Sequence, residues 1–218
     1  MSDWLTWQIV DSAFPTGMFA HSGGLESAWQ HGEVPDVESL RIYADAAIVQ
    51  ASYSVIPLLN AGFDSPQAVP SLDLIADAFL TNPVGNRASR VQGRTLLATM
   101  TRVWPGDALA GVTALAAGTA AHVAPLSGAA FRAVGLQLPV VQRVVLYCAV
   151  RGVLSAAVRL GIAGSYEAQR LQAGCSATLE RVAQRCAAFT LEDLAQTAPL
   201  IDLLQSRHDH LYSRLFQS

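Results

Sequence analysis

The chain has 218 residues, enough for one domain with a sizeable hydrophobic core. Hydrophobic residues make up 51% of it and charged residues only 14%. Soluble globular chains usually contain roughly 25% charged residues, so the surface is expected to need protein partners. The net charge is −3 and all 14 basic residues are arginines, which leaves no polybasic patch and argues against nucleic-acid binding.

The cysteines and the apolar segments bear on the location of the protein. Cys148, Cys175 and Cys186 are odd in number and form no C-x-x-C pair, so neither a disulfide framework nor a zinc module is predicted and the reducing cytoplasm fits best. No secretion signal is predicted at the N-terminus, because no basic stretch leads into an apolar run there. Residues 108–131 carry no charge and are long enough to span a bilayer, but their Ala, Gly, Thr and Ser content favours a core helix with its turn, so no membrane association is predicted.

Helical periodicity runs through most of the chain, and no alternating strand pattern with hairpin turns occurs. Turn signals divide the sequence into about eight to ten helices. The sequence therefore predicts an all-α, single-domain helical bundle over residues 1–206, followed by a C-terminal tail, residues 207–218. The first clear helix start is Asp36, whose side chain is suited to cap a helix that runs to about Leu59.

Two later segments indicate the architecture. Residues 139–162 are apolar on almost every side, which predicts a central helix packed against several others. Residues 166–189 form an amphipathic pattern, with Cys175 and Cys186 on its apolar stripe. On one helix these two thiols would lie roughly 16 Å apart along the axis, too far to share a disulfide or a metal, so they are interpreted as core residues.

The segment from Asp11 to Glu26 contains residue types that could carry chemistry. Asp11, His21 and Ser22 are the components of a hydrolytic triad, and a serine hydrolase that uses Ser22 and His21 is one alternative. However, no strand precedes the A-H-S-G-G sequence, as a nucleophile elbow requires, and neither a phosphate-binding glycine pattern nor a lysine is present. The preferred interpretation is structural, with Ser22 or Gly23 capping a helix that has Glu26 in its first turn.

The five histidines do not indicate a metal site. No H-x-x-x-H or H-E-x-x-H motif occurs, and His208 and His210 would point to opposite sides of a helix. No metal, cofactor or catalytic residue is predicted.

The tail combines charge with large apolar side chains, whereas chain termini are usually polar and frayed. Its apolar residues recur at helical spacing: Leu211, Tyr212, Leu215 and Phe216. Arg207 and Arg214 flank this face, as in peptides that become ordered on entering a groove of a partner. The alternative is that the tail folds back as a last core helix.

Four patches along nearly the whole chain resemble the UreF family of urease accessory proteins. They are Asp11 to Glu26; Ala88 and Ser89 with Gly93; Ala156 to Leu160 with Gly164 and Gln169 to Leu171; and His208 with Tyr212 to Phe216 and Ser218. The first and the last are specific to the family, whereas the two in the middle would prove little alone.

This resemblance implies an all-helical, homodimeric chaperone that catalyses no reaction itself. Such a protein joins UreD/UreH-type and UreG-type proteins, of which the latter is a GTPase, and the complex inserts nickel into apo-urease. In the family the C-terminal segment helps to bind the D/H-type partner. The resemblance assigns this role to His208, Tyr212, Arg214, Leu215 and Phe216. A second alternative is a GTPase-activating protein that supplies an arginine in trans.

Overall fold

The computed structural model describes residues 3–16 and 20–218. Its α-helices, in chain order, are α1 (Asp3–Val10), α2 (Leu25–Gln30), α3 (Val37–Ser54), α4 (Ile56–Asp64), α5 (Val69–Phe79), α6 (Pro83–Val103), α7 (Asp107–Ala116), α8 (Val123–Ala133), α9 (Leu138–Leu160), α10 (Ser165–Gly174), α11 (Ser176–Cys186) and α12 (Pro199–Ser206). No β-strand occurs in the described residues. The predicted all-α bundle is therefore confirmed.

Helix α9 lies at the centre of this bundle, as its apolar character predicts. Pro139 stands in the first turn, where its missing N–H costs no helical hydrogen bond. Gly161 ends the helix in a left-handed conformation, with φ of 76°. Between these two residues α9 contacts α1, α2, α3, α4, α8, α10 and α11. Because neighbours cover it from several directions, almost every side of the helix can be apolar.

The helix predicted to begin at Asp36 is divided in two before its expected end. Asp36 caps α3 as expected, since its carboxylate accepts a hydrogen bond from Ser39 N at 2.9 Å. The division follows from Pro57, in the first turn of α4, which has no N–H to donate to the carbonyl of Tyr53. That carbonyl accepts a bond from Ala195 N instead, at 3.3 Å. The break thus creates a contact with the C-terminal part of the chain.

The segment 166–189 is also divided, into α10 and α11, because α10 ends at Gly174 and Cys175 lies between the two helices. Cys175 and Cys186 are buried and unpaired, as is Cys148, which confirms their interpretation as core residues. Burial raises the pKa of all three thiols, so they remain protonated at neutral pH.

Two contacts in the bundle are so close that only glycine fits: α8 against α4, and α6 against the loop that leads into α8. A Cβ atom added at Gly128 of α8 would lie 2.1 Å from Leu59 O of α4. One added at Gly93 of α6 would lie 2.0 Å from Ala121 O, in the loop that leads into α8. Backbone atoms cannot yield as a flexible side chain can, so these glycines fix how α4, α6 and α8 are arranged.

Two helical stretches, residues 37–64 and 138–160, are long and apolar enough to cross a membrane by length and composition. In the most apolar part of each stretch, 44% and 56% of the residues, respectively, are buried inside the bundle. The core helices of soluble proteins pass the same test, so this finding is weak evidence for membrane insertion.

Candidate functional site

The N-terminal motif and the tail meet beside α2. A turn at Gly23 and Gly24 precedes this helix, and Gly24 adopts a left-handed φ of 91° that favours glycine. The Tyr43 hydroxyl donates a hydrogen bond to Gly23 O at 2.8 Å and so fixes the turn against α3. Gly24 is the N-cap and no side chain caps the helix. The predicted capping by Ser22 or Gly23 is therefore wrong, because the Ser22 hydroxyl bonds to the tail instead.

Glu26, in the first turn of α2, is almost completely buried and binds the tail with both carboxylate oxygens. Oε1 accepts a hydrogen bond from Leu215 N at 2.6 Å. Oε2 accepts one from Phe216 N at 3.1 Å and another from His208 Nε2 at 3.0 Å. One buried acid therefore holds the beginning of the tail and a segment close to its end.

The last two residues of the tail bind the segment ahead of α2. Ser218 O accepts hydrogen bonds from Ser22 N at 2.6 Å and from Ser22 Oγ at 3.1 Å. Gln217 N donates to Ala20 O at 2.8 Å, and the His21 ring bonds through Nδ1 to Ser218 Oγ. The middle of the N-terminal motif, residues 17–19, lies outside the described residues. The tail-binding groups named above, from Ala20 to Glu26, follow these residues.

The environment of His21 keeps its ring neutral. Burial lowers its pKa most, and electrostatic interactions with His208 and Arg87 lower it further. The ring is therefore uncharged at neutral pH, where it bonds to the Ser218 hydroxyl.

The tail is folded back on the helical body, as one of the two alternatives proposed, but it is not the predicted helix. After a single 3₁₀ turn at His208–His210 it is irregular. Helical spacing among its apolar residues therefore does not set which side chains are buried. Hydrogen bonds to the N-terminal motif do so instead.

The five predicted docking residues divide into two sets. His208 and Phe216 are buried, and the guanidinium of Arg159 lies 4.1 Å from the centre of the Phe216 ring. Tyr212 is fully exposed, and Leu215 is 52% exposed. Arg214 is also at the surface. The first two side chains thus hold the tail in place, and the other three are accessible to a partner.

Further polar contacts fix the exposed part of the tail. Asp209 forms ion pairs with Arg87 of α6 at 2.8 Å and with Arg214 at 3.6 Å. The Gln30 side chain at the end of α2 donates to Ser213 O at 2.9 Å. Exposed ion pairs contribute little to stability, so we interpret them as orienting contacts.

The triad of the alternative interpretation, Asp11, His21 and Ser22, is not assembled. The Asp11 carboxylate accepts a hydrogen bond from Ala13 N at 2.7 Å, two residues along the chain. The Ser22 hydroxyl is buried and donates to Ser218 O. Neither group is therefore placed as a triad requires, and the geometry lends no support to a hydrolase that uses Ser22 and His21.

A different Ser–His–Asp chain of hydrogen bonds is present in the bundle. His122 Nδ1 lies 3.1 Å from Ser89 Oγ, and His122 Nε2 lies 3.1 Å from Asp77 Oδ1. The His122 ring is fully buried, and Ser89 Oγ also accepts a bond from Val123 N at 3.3 Å. A hydrogen bond from Asn86 and then one from His122 lower the pKa of Asp77. Since the ring is enclosed, we interpret this chain as structural.

Asp73 holds the backbone beside this cluster. Its buried carboxylate accepts hydrogen bonds from Ala120 N and from His122 N, both at 2.7 Å. Between them Ala121 adopts a φ of 67°, an uncommon conformation for a residue with a side chain. Sequence analysis marked Ser89 only as part of a patch. It missed the acids and His122 because no short spacing links them.

An apolar cavity of about 350 Å³ is lined by residues of several helices, including Ala51, Leu96 and Val153. Its polar lining includes the side chains of Gln50, Gln92 and Gln205. Among residues 3–16 and 20–218, no group of three or more His, Cys, Asp or Glu side chains is placed to hold a metal ion. The contact between residues 20–26 and the tail is therefore the best-defined candidate site.

Comparisons with known proteins identify the family. The family model described as UreF matches residues 34–176. The chain belongs to the UreF family. The urease accessory protein F of Oryza sativa subsp. indica is 35% identical over 219 residues, which cover 98% of this chain and 84% of the rice protein. The protein of the same name from Arabidopsis thaliana is 34% identical and covers 99% of this chain and 92% of its own length.

Bacterial UreF proteins are similar over the same extent. The urease accessory protein UreF of Mycolicibacterium vanbaalenii is 33% identical and covers 96% of this chain and 96% of itself. The family model ends before the tail, but these full-length similarities cover nearly the whole chain. The two terminal segments that meet at the candidate site thus lie largely within the part of the chain that UreF relatives share.

Proposed function

We propose that this chain is a urease accessory protein that acts in the cytoplasm as an adaptor and catalyses no reaction itself. It forms a homodimer and assembles with UreD/UreH-type and UreG-type proteins, so that nickel is inserted into apo-urease. The names of the rice and Arabidopsis relatives support a role in urease maturation. The low content of charged residues supports a surface that binds proteins.

The observation that carries this proposal is the conformation of the tail. A fully exposed Tyr212 and a half-exposed Leu215 project from a segment whose neighbours are buried and hydrogen-bonded. Large side chains on an ordered backbone suit an interface hot spot, because little backbone entropy is lost on binding. We therefore assign docking of the D/H-type partner to Tyr212, Arg214 and Leu215, with His208 and Phe216 holding them in place.

Capture of a purified D/H-type partner tests the proposal. A chain truncated before Arg207 should keep its helical circular dichroism and lose capture. The double variant Tyr212→Ala/Leu215→Ala should bind at least about tenfold more weakly, as expected for loss of hot-spot side chains. Tyr166→Ala is the matched control, since Tyr166 of α10 is also highly exposed. Full capture by the truncated chain would refute the docking role of the tail.

The coupling to the GTPase is a separate part of the proposal. The protein organises the UreG-type partner and links its GTP hydrolysis to nickel delivery. Turnover of GTP by the reconstituted complex, with each exposed arginine changed to alanine, would reveal an arginine supplied in trans as a loss of about 10³-fold or more. If no arginine variant changes GTP turnover, the protein acts as an adaptor and supplies no catalytic arginine.

A further inference from the structure

Glu26 is a buried acid whose three hydrogen bonds all go to the tail. Burying a carboxylate is costly unless hydrogen bonds or charges compensate for the lost water. Here two backbone N–H groups and the ring of His208 provide that compensation, at 2.6 to 3.1 Å. The tail is therefore part of what makes a buried acid tolerable at this position, and Glu26 in turn determines where the tail lies.

The two backbone bonds also determine which side chains face outward. Glu26 binds the consecutive N–H groups of Leu215 and Phe216 with its two different oxygens. Leu215 is half exposed, whereas Phe216 is buried under Arg159. Exposed and buried residues alternate from Leu215 to Ser218, so a shift of one residue in this pairing would exchange the inward and outward positions. The carboxylate thus sets the register of the tail.

The third bond closes a loop. Because His208 binds the same carboxylate as Leu215 and Phe216, residues 208–216 begin and end at one point on α2. Tyr212 lies midway along this loop and is fully exposed. A loop fixed at both ends is largely ordered before it meets a partner, which increases the fraction of molecules that are ready to bind.

We propose that Glu26 is the positioning residue of the docking surface: through the backbone of the tail it sets the register that turns Tyr212 and Leu215 outward. This inference rests on the proposed function, in which the tail binds the D/H-type partner. Glu26 itself is buried and does not touch the partner.

The test compares Glu26→Gln with Glu33→Gln in the full chain. Both changes replace a carboxylate by an amide, but Glu33 lies just beyond α2 and is exposed. The glutamine at position 26 would keep one acceptor and turn its NH₂ group toward tail donors. We measure the affinity for the D/H-type partner, the thermal midpoint, and the rate of trypsin cleavage after Arg207. Trypsin suits this measurement because it cleaves after arginine and Arg207 is exposed at the start of the tail.

For Glu26→Gln we expect cleavage after Arg207 to be at least about tenfold faster and partner affinity about tenfold weaker, since bonds to a charged acceptor are lost and the ordered tail is less populated. Glu33→Gln should match the wild type in both measurements. Unchanged cleavage and affinity in full-length Glu26→Gln would overturn the inference.

A second pair of variants covers the case in which Glu26→Gln unfolds the whole body. Leu215→Pro removes the N–H that Glu26 binds, whereas Leu215→Ala removes a similar side chain and keeps that N–H. Faster cleavage after Arg207 in Leu215→Pro than in Leu215→Ala supports the inference, and equal rates contradict it. If truncation of the tail leaves capture intact, the proposed function fails. If truncation abolishes capture but these variants match their controls, only the role of Glu26 fails.

Discussion

Two buried acids in this protein make similar bonds and hold different kinds of structure. Glu26 and Asp73 each accept hydrogen bonds from two backbone N–H groups. Each of these sites also includes a fully buried histidine, His208 beside Glu26 and His122 beside Asp73. Asp73 secures the turn before α8, inside the bundle, and Glu26 secures a tail that lies on its surface.

Replacing Asp73 and replacing Glu26 should destabilise different parts of the protein. The turn held by Asp73 supports α8, which packs against α4, α5, α6 and α7, so it cannot detach alone. We expect the tail to detach while the bundle stays folded, so that the cost of losing Glu26 is limited to the free energy with which the tail is docked. The same chemistry thus stabilises the body at one place and orders a binding surface at the other.

The largest expected effect comes from the body. Gly128→Ala would place a methyl group against Leu59 O, and overpacking against backbone should lower the free energy of unfolding by about 3 kcal/mol. For a chain of this size that is roughly 6–12 °C in the thermal midpoint. Gly152→Ala is the control, because its Cβ would meet no atom within 4 Å and helical Ala is favoured over Gly. Similar midpoints for the two variants would contradict the close packing of α4 on α8.

Asp73→Asn comes next and tests the comparison directly. The amide would keep one acceptor and turn its NH₂ group toward a buried backbone N–H, which should cost about 2 kcal/mol in urea unfolding. Asp64→Asn, at an exposed position, should change this value little. Glu26→Gln should release the tail with a smaller loss of global stability than Asp73→Asn. If it destabilises the protein as much, the tail is an integral part of the body.

The smallest effect concerns pH and His21. Burial lowers the pKa of His21 in the folded state, so an unfolded or detached segment binds a proton first as the pH falls. Docking of the tail is therefore strongest above the ordinary histidine pKa of about 6.5 and weakens below it, down to the lowered pKa. His208 and Arg87 face His21 and contribute to this shift.

The measurement is hydrogen exchange of the Gln217 amide, which bonds to Ala20 O. After correction for intrinsic exchange rates, the protection factor should fall between pH 7.5 and pH 5.5. His21→Gln should flatten this dependence. Protection that stays constant in the wild type would show that His21 does not link pH to the tail.

Local signals predicted much of the fold because their causes are local. Asp36 caps α3 through a residue three positions away, and Pro139 and Gly161 bound the central helix through their own backbone conformations. The break before Pro57 was missed even though proline disfavours a continuous helix. The helical pattern of apolar residues continues on both sides of Pro57 and hides the break. The Tyr53 carbonyl, which Pro57 leaves without a donor, accepts a hydrogen bond from Ala195, far along the chain.

Sequence patterns were sufficient to predict the all-α class, the central helix, the core cysteines and the two terminal segments that carry the resemblance to UreF. The folded structure was needed to show that these segments meet, that His208 and Phe216 face inward, and that Tyr212 and Leu215 face outward. Periodicity and capping report on neighbours within a few residues. The bonds of Glu26 join residues 182 to 190 positions apart, a distance at which no local pattern specifies a partner.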